Sequence, residues 1–279
     1  MRYDQVEGSA ASISNGAITT GLARRDRAVA ASAGLIYEVT TTLRPYASAA
    51  RGFRAGDLRE RFESSPRGDG FFYLGNPQIQ PEVATQLELG LKGLDATVDY
   101  ALAVYRIRIE DYITGRVTGA VQAGLPVKQT VNLGAVTIRG IEGRLRWQPL
   151  RGHWLQAGFS ALRATSDDLN EPLFQSPADE LFVGWEAGVA EGLTADAGVR
   201  LVRRQNRVAR VFARGTENPT AGFGTADLGL TWTRGLHRVR VALSNVFDKR
   251  YHEHLDDGVS GAEPAAPGRN VFVSWQGRF

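Results

Sequence analysis

"LFVGWEAGVAEGLTADAGVRL", residues 181–201, changes polarity at every second position on both sides of a short break. Leu181, Val183, Trp185, Ala187 and Val189 share one side of the first half, against Phe182, Gly184, Glu186 and Gly188. In the second half, Leu193, Ala195, Ala197, Val199 and Leu201 oppose Thr194, Asp196, Gly198 and Arg200. A period of two marks an extended strand with two unlike faces. The same alternation runs through "TQLELGL" (85–91), "IEGRLRWQ" (141–148) and "HRVRVALSN" (237–245), and helical stripes of any length are absent. About twelve strands follow, near 1–7, 25–39, 43–53, 82–92, 96–113, 127–148, 153–165, 180–189, 193–203, 222–233, 237–248 and 270–279. Many reach ten residues, which suits a tilted strand crossing a bilayer in roughly 9–11 residues.

The connections alternate in length. Short turns follow the even-numbered strands, at 40–42, 93–95, 150–153, 190–192 and 234–236; long ones follow the odd-numbered strands, at 8–24, 54–81, 114–126, 166–179, 204–221 and 249–269. A sheet with its tight turns at one end and its long loops at the other has the layout of an outer-membrane barrel. The apolar side also carries Tyr37, Trp147, Trp185, Trp232 and Trp275, several near the short turns, as an aromatic girdle at a membrane interface would.

Bulk composition hides this arrangement. Of the 279 residues, 43% are hydrophobic and 23% charged, and the mean hydropathy of −0.23 would suit a soluble domain. No apolar run approaches the ~18 residues of a membrane helix, and "MRYDQVEGSA" shows no secretion signal. Without cysteine, and with Met1 as the only methionine, sulfur ligation of a metal is excluded. A net charge of +3 is too balanced to point to nucleic acid. Nucleophile–base pairs, phosphate-binding glycine loops and acid–base carboxylate pairs are not evident, so an enzyme is not expected. No cofactor is implied.

The last strand, "VFVSWQGRF" (271–279), places Val271, Val273, Trp275 and Phe279 on one face. A terminal aromatic on such a strand resembles the segment that the barrel-assembly machinery of Gram-negative bacteria recognises by strand addition; Trp275 and Phe279 would carry that signal.

Further stretches resemble the TonB-dependent outer-membrane receptor family. "GNPQIQPEVATQLELGLKG" (75–93) matches through Asn76, Pro77, Pro81, Glu82, Glu88, Leu89 and Gly90; "NLGAVTIRGIEGRLRW" (132–147) matches through Asn132, Gly140, Ile141 and Glu142. "LSNVFDKRYHEHL" (243–255) with "PGR" (267–269) matches through Asn245, Phe247, Asp248, Tyr251, Pro267, Gly268 and Arg269. "ARGFRAGDLRERF" (50–62) also fits, except that Gly56 stands where the family usually has proline. Most of these residues are expected to set turns, register and interstrand contacts rather than to touch ligand. Gly140 is expected to mark a β-bulge, because Val136 and Ile138 precede it in one phase and Ile141 and Leu145 follow in the other.

Ligand chemistry belongs to the long loops. His252, His254, Asp256 and Asp257 in "YHEHLDDG" form a weak candidate for a divalent ion, against the plainer reading of a structural loop start. Arg203, Arg204, Arg207, Arg210 and Arg214, at and beyond a strand end, could grip an anionic chelate or lipopolysaccharide, or form a solvated loop.

The resemblance implies an all-β, antiparallel transmembrane barrel. The family barrel has twenty-two strands, a lumen-filling plug and a TonB box; residues 1–279 would supply about twelve C-terminal strands and no plug. Outer-membrane location, lipid and lipopolysaccharide contact, TonB coupling in a complete form, and uptake of a ferric siderophore, cobalamin or another metal complex are implied with it. The alternative is a self-contained twelve-stranded passive channel or barrel enzyme.

Overall fold

A computed structural model describes residues 1–13, 20–212, 217–256 and 264–277. Twelve long strands follow one another in chain order across an antiparallel sheet: β1 (Arg2–Ser9), β2 (Ala23–Ile36), β3 (Arg44–Arg54), β6 (Glu82–Leu94), β7 (Val98–Gln122), β8 (Leu125–Leu150), β9 (His153–Ser166), β11 (Glu180–Ala190), β12 (Leu193–Val202), β13 (Phe223–Arg234), β14 (His237–Ser244) and β15 (Asn270–Gly277). These are the strands the period of two places, shifted by a few residues at their ends except for β7, which runs on from 113 to Gln122. Three short strands were not legible: β4 (Ser64–Pro66), β5 (Phe72–Leu74), which pairs in parallel with β8, and β10 (Glu171–Pro172). One helical turn, α1 (Leu58–Phe62), opens on a capping box in which Asp57 and Glu60 each accept the other's backbone N–H. No ladder joins β1 to β15 among the described residues.

Cross-strand pairing carries the apolar side chains into continuous rows. Trp147, Leu155, Trp185, Ala197, Leu228, Leu243 and Val271 occupy one rung from β8 to β15. Leu193, Trp232, Val239 and Trp275 form another, nearer the short turns. Trp147, Trp232 and Trp275 stay 45%, 41% and 59% exposed, and Leu87 and Leu89 57% and 60%. Side chains this apolar and this exposed, repeated from strand to strand, suit hydrocarbon rather than water.

Two expectations about the longest hairpin are corrected. Residues 114–126 are not a loop: β7 and β8 extend to Gln122 and Leu125 and close on Ala123 and Gly124, both with positive φ (51° and 76°) as a tight two-residue turn requires. Gly140 is not at a bulge either. Pairing runs without a shift from Val98↔Trp147 to Val117↔Lys128, and the break comes only between Val117 and Val121. The apolar residues change face while the ladder does not: Val136 and Ile138 lie opposite Ile109 and Ile107 on the polar face, where Val136 has no exposed surface. Gly140 is glycine because the Tyr105 ring lies across it, with Cζ 2.3 Å from where a Cβ would sit. At the far end, β14 stops at Ser244 rather than 248 because Asn245 and Asp248 take φ of 48° and 54°.

Candidate functional site

The polar face of the sheet is lined with charge held in pairs. Tyr46 lies across Gly90, where a Cβ would stand 2.4 Å from the ring, donates to Glu88 at 2.7 Å and carries Lys92 Nζ 4.3 Å above its ring. Glu142 and Arg144 line the same wide cleft of about 570 Å³, and Arg144 reaches Asp99 at 2.9 Å. Further round, Arg240 grips Asp196 with both nitrogens at 2.6 and 3.0 Å, beside Gly229, whose missing Cβ leaves room for the carboxylate. Tyr46 and Glu88, like Arg144 and Asp99, sit on neighbouring strands, and Arg240 reaches Asp196 across β13, because the period of two puts these side chains on the same face. Both signs within one wet cleft can exchange hydrogen bonds with a polyanionic chelate without leaving a charge stranded.

Nearer the loops, Arg200 bridges Glu180, at 2.7 Å, and Glu253, and lies 5.2 Å from the Phe223 ring, which stacks on Tyr251 at 4.0 Å. A smaller cavity of about 260 Å³ opens beside it, against His252 and His254. Of the four proposed ion ligands, the two histidines are each engaged elsewhere. His252 Nδ1 is 3.0 Å from the Pro264 carbonyl, and His254 Nδ1 is 3.1 Å from Thr220 Oγ1. His254 Nε2, buried, is 3.3 Å from Glu217 without hydrogen-bond geometry. Asp256 lines the same cavity, Asp257 lies outside the described residues, and among the described residues no three His, Asp or Glu side chains are placed to hold a metal.

The arginine-rich loop turns inward on its apolar residues. Val208, Ala209 and Phe212 are buried, and Ala209 and Phe212 form a cluster with Leu133, flanked by Tyr112, Leu169 and Phe174. Arg203, Arg204, Arg207 and Arg210 are left exposed; Arg203 reaches Asp179 at 3.5 Å, and Arg214 lies outside the described residues. Two acids that the sequence did not single out anchor this loop. Glu171 accepts the backbone N–H groups of Arg210, Val211 and Phe212 at 2.7, 2.9 and 2.7 Å. Burial pushes its carboxyl up, but the three N–H groups together outweigh burial and hold it below the usual range. Glu217 accepts from the N–H of Gln175 at 2.6 Å and from that of Ala209. The guanidinium of Arg163 holds Asp179 low against burial.

The motif residues sit at chain crossings. Glu82 takes both nitrogens of Arg54 at 2.9 Å and the N–H of Ile113 at 2.6 Å. Asn132 donates to the carbonyls of Asp111 and Gln80 and accepts from the Gln80 N–H. Asn76 accepts from the Gln78 N–H, within the turn that carries Pro77 towards Pro81. Asn245 bonds Lys249 twice and the Pro267 carbonyl once, while Asp248 accepts the Arg269 N–H at 2.8 Å and fills the place a Gly268 side chain would need. Phe247 is 77% exposed. Trp275 lies on the apolar face and stacks on His237 at 5.9 Å; Phe279 lies outside the described residues.

Solved structures with this arrangement are receptors and transporters. The copper transporter OprC superposes with a TM-score of 0.85 at 22% identity, over 99% of this chain and 44% of its own. The ferric enterobactin receptor PfeA of Pseudomonas aeruginosa, in complex with enterobactin, follows with 0.69 at 19% identity, over 91% and 42%. The siderophore receptor PirA of Acinetobacter baumannii gives 0.69 at 17%, over 91% and 41%. The chain thus spans less than half the length of these proteins, and no curated protein matches it in sequence. The family model described as "TonB dependent receptor-like, beta-barrel" matches residues 1–246, and the chain belongs to that family.

Proposed function

We propose that this chain provides about twelve strands of an outer-membrane receptor which, in a complete form carrying a plug and a TonB box, takes up a scarce ligand such as a ferric siderophore, cobalamin or another metal complex. The family match over residues 1–246 carries the reading. The apolar rows would face lipid, the paired charges would line the lumen, and the long loops with Arg203, Arg204, Arg207, Arg210 and Arg214 would lie outside the cell, where an anionic chelate or lipopolysaccharide arrives. The strand ending in Trp275 and Phe279 would be the one recognised by the barrel-assembly machinery. A passive twelve-stranded channel gains no support from a sheet whose first and last strands share no ladder among the described residues.

Fractionation, gel mobility and ligand binding test this together. The chain is expected in the outer-membrane fraction and, refolded in detergent, to migrate differently before and after boiling. A ferric catecholate, Cu(II) or cyanocobalamin should then quench its five tryptophans saturably. Solubility in plain buffer with no heat-dependent shift refutes the membrane assignment; an inserted chain that binds none of the three below about 100 µM, or ~5.5 kcal/mol, refutes the ligand reading.

A further inference from the structure

The loop-side border of the apolar face is drawn by arginines on the strands. Along one rung, Val104, Ile141 and Ala161 stand side by side on β7, β8 and β9; on the next rung towards the loops, the neighbours are Arg106, Arg139 and Arg163. One rung further come Arg51 and Arg108, with Thr85 between them. All five belong to the face that carries Leu87 and Leu89, so they point away from the lumen charges.

Their pairing is uneven. Arg163 is bound by Asp179, Arg108 by Asp167 at 2.8 Å with Glu110 at 3.6 Å, and Arg51 donates to the Val29 carbonyl at 3.0 Å. Arg106 and Arg139 are exposed and make no hydrogen bond or ion pair with any described residue. Like charges directly opposite on adjacent strands have Cβ atoms only ~5 Å apart and destabilise the pair. Nothing within the described residues offsets this.

An apolar groove of about 720 Å³ runs directly beneath. Ala33, Ala47 and Ala49 form its floor, Leu87, Leu89 and Val104 its wall, and Arg106 its upper end. Small residues on three adjacent positions leave an apolar slot between larger ones. A slot that suits hydrocarbon, closed above by unneutralised guanidinium groups, is complementary to one molecule with both parts.

We propose that this face binds a lipid A molecule, its acyl chains in the Ala33–Ala47–Ala49 groove and a phosphate on Arg106 and Arg139, with Arg51 and Arg108 flanking. Guanidinium forks fit phosphate oxygens two at a time, and the loop side of such a barrel faces the outer leaflet. The site is distinct from the loop run 203–214. It rests on the outer-membrane reading and assigns that reading a lipid and a position.

The test uses the full chain in detergent, titrated with bis-phosphorylated lipid A, with phosphatidylethanolamine and with inorganic phosphate, and followed by native mass spectrometry. Lipid A is expected to bind in preference to the other two. Arg106→Gln with Arg139→Gln should weaken it about thirtyfold, taking ~1 kcal/mol for each arginine at a charged membrane surface, and leave phosphatidylethanolamine unchanged. Ala47→Leu with Ala49→Leu should weaken both lipids by filling the groove. Arg144→Gln, on the lumen face, serves as control and should change neither. Equal binding of lipid A and phosphatidylethanolamine, an unchanged double arginine variant, or displacement of lipid A by phosphate alone would overturn the proposal. If the heat-dependent mobility shift is present and lipid A preference is absent, this inference alone fails; if the shift is absent, the membrane reading fails with it.

Discussion

Replacing Arg61 by methionine should release the segment between β3 and β6 while leaving the strand ladder intact. Arg61 and Asp26 are 2% and 3% exposed and form an ion pair. The rest of the guanidinium is satisfied by the carbonyls of Gly56, Pro77 and Ile79, each at 3.1 Å. One side chain therefore ties α1 to the strand-entry turn at 76–80 and to β2. Removing one partner of a buried pair costs about 3–5 kcal/mol, because the other is left desolvated and uncompensated; Arg24, 3.2 Å from the second Asp26 oxygen, places the expectation at the lower end. At 1.4 kcal/mol per factor of ten, about 3 kcal/mol corresponds to roughly a hundredfold faster amide exchange across 56–79. Hydrogen exchange read by mass spectrometry on the refolded chain measures it, with strand amides of β8 and β12 as internal reference. Asp26→Asn in the same chain should cost less than it does alone, since its charge no longer needs Arg61. Exchange that rises less than about threefold, or strictly additive variants, would show that the pair does not hold the segment, at the ~0.3–0.5 kcal/mol precision of additivity.

Other consequences are equally direct. Gly140→Val should lower stability by about 1–3 kcal/mol through overpacking against the Tyr105 ring, and Tyr105→Ala should restore most of it, read as the urea midpoint of detergent-refolded protein. Asn132→Ala removes three bonds across the Asp111 and Gln80 crossing and should cost about 3 kcal/mol at ~1 each, visible as accelerated proteolysis within 76–82. The carboxyl of Glu171 is lowered in the folded state, so its contribution is complete above the ordinary glutamate range and lost as pH falls through the folded value. Exchange of the Arg210, Val211 and Phe212 amides should therefore rise below about pH 4, and Glu171→Gln should abolish that pH dependence.

The strands were legible because one face of each joins a continuous apolar surface, which imposes the same choice at every second residue. That rule extends across seven neighbouring strands on the Trp147–Val271 rung, and no long-range information is needed to find them. It fails where the environment changes. Val136 and Ile138 obey the alternation but turn their apolar side to the polar face, so a change of burial looked like a change of register. Residues 114–126 lack a clear apolar side yet pair across the extended ladder to Val121↔Pro126, because backbone hydrogen bonds alone can continue a hairpin. The loop anchors were out of reach for a different reason. Arg61 finds Asp26 thirty-five residues away and Glu217 finds the Gln175 N–H forty-two away; charged residues in a loop look solvated until the chain folds back on them.

The same distinction separates the arginines. On the lumen face, Arg54, Arg144, Arg200 and Arg240 each have a carboxylate within 3 Å. There, water and paired charge coexist, and an unpaired guanidinium would be tolerated at little cost. At the upper border of the apolar face the dielectric is lower and like-charge repulsion is stronger, yet that is where Arg106 and Arg139 have no partner among the described residues. Arg146 and Arg238 on the lumen face also lack a carboxylate, and water can solvate them there. Arg106 and Arg139 border the apolar face instead, so the anion we propose for them lies outside the barrel wall.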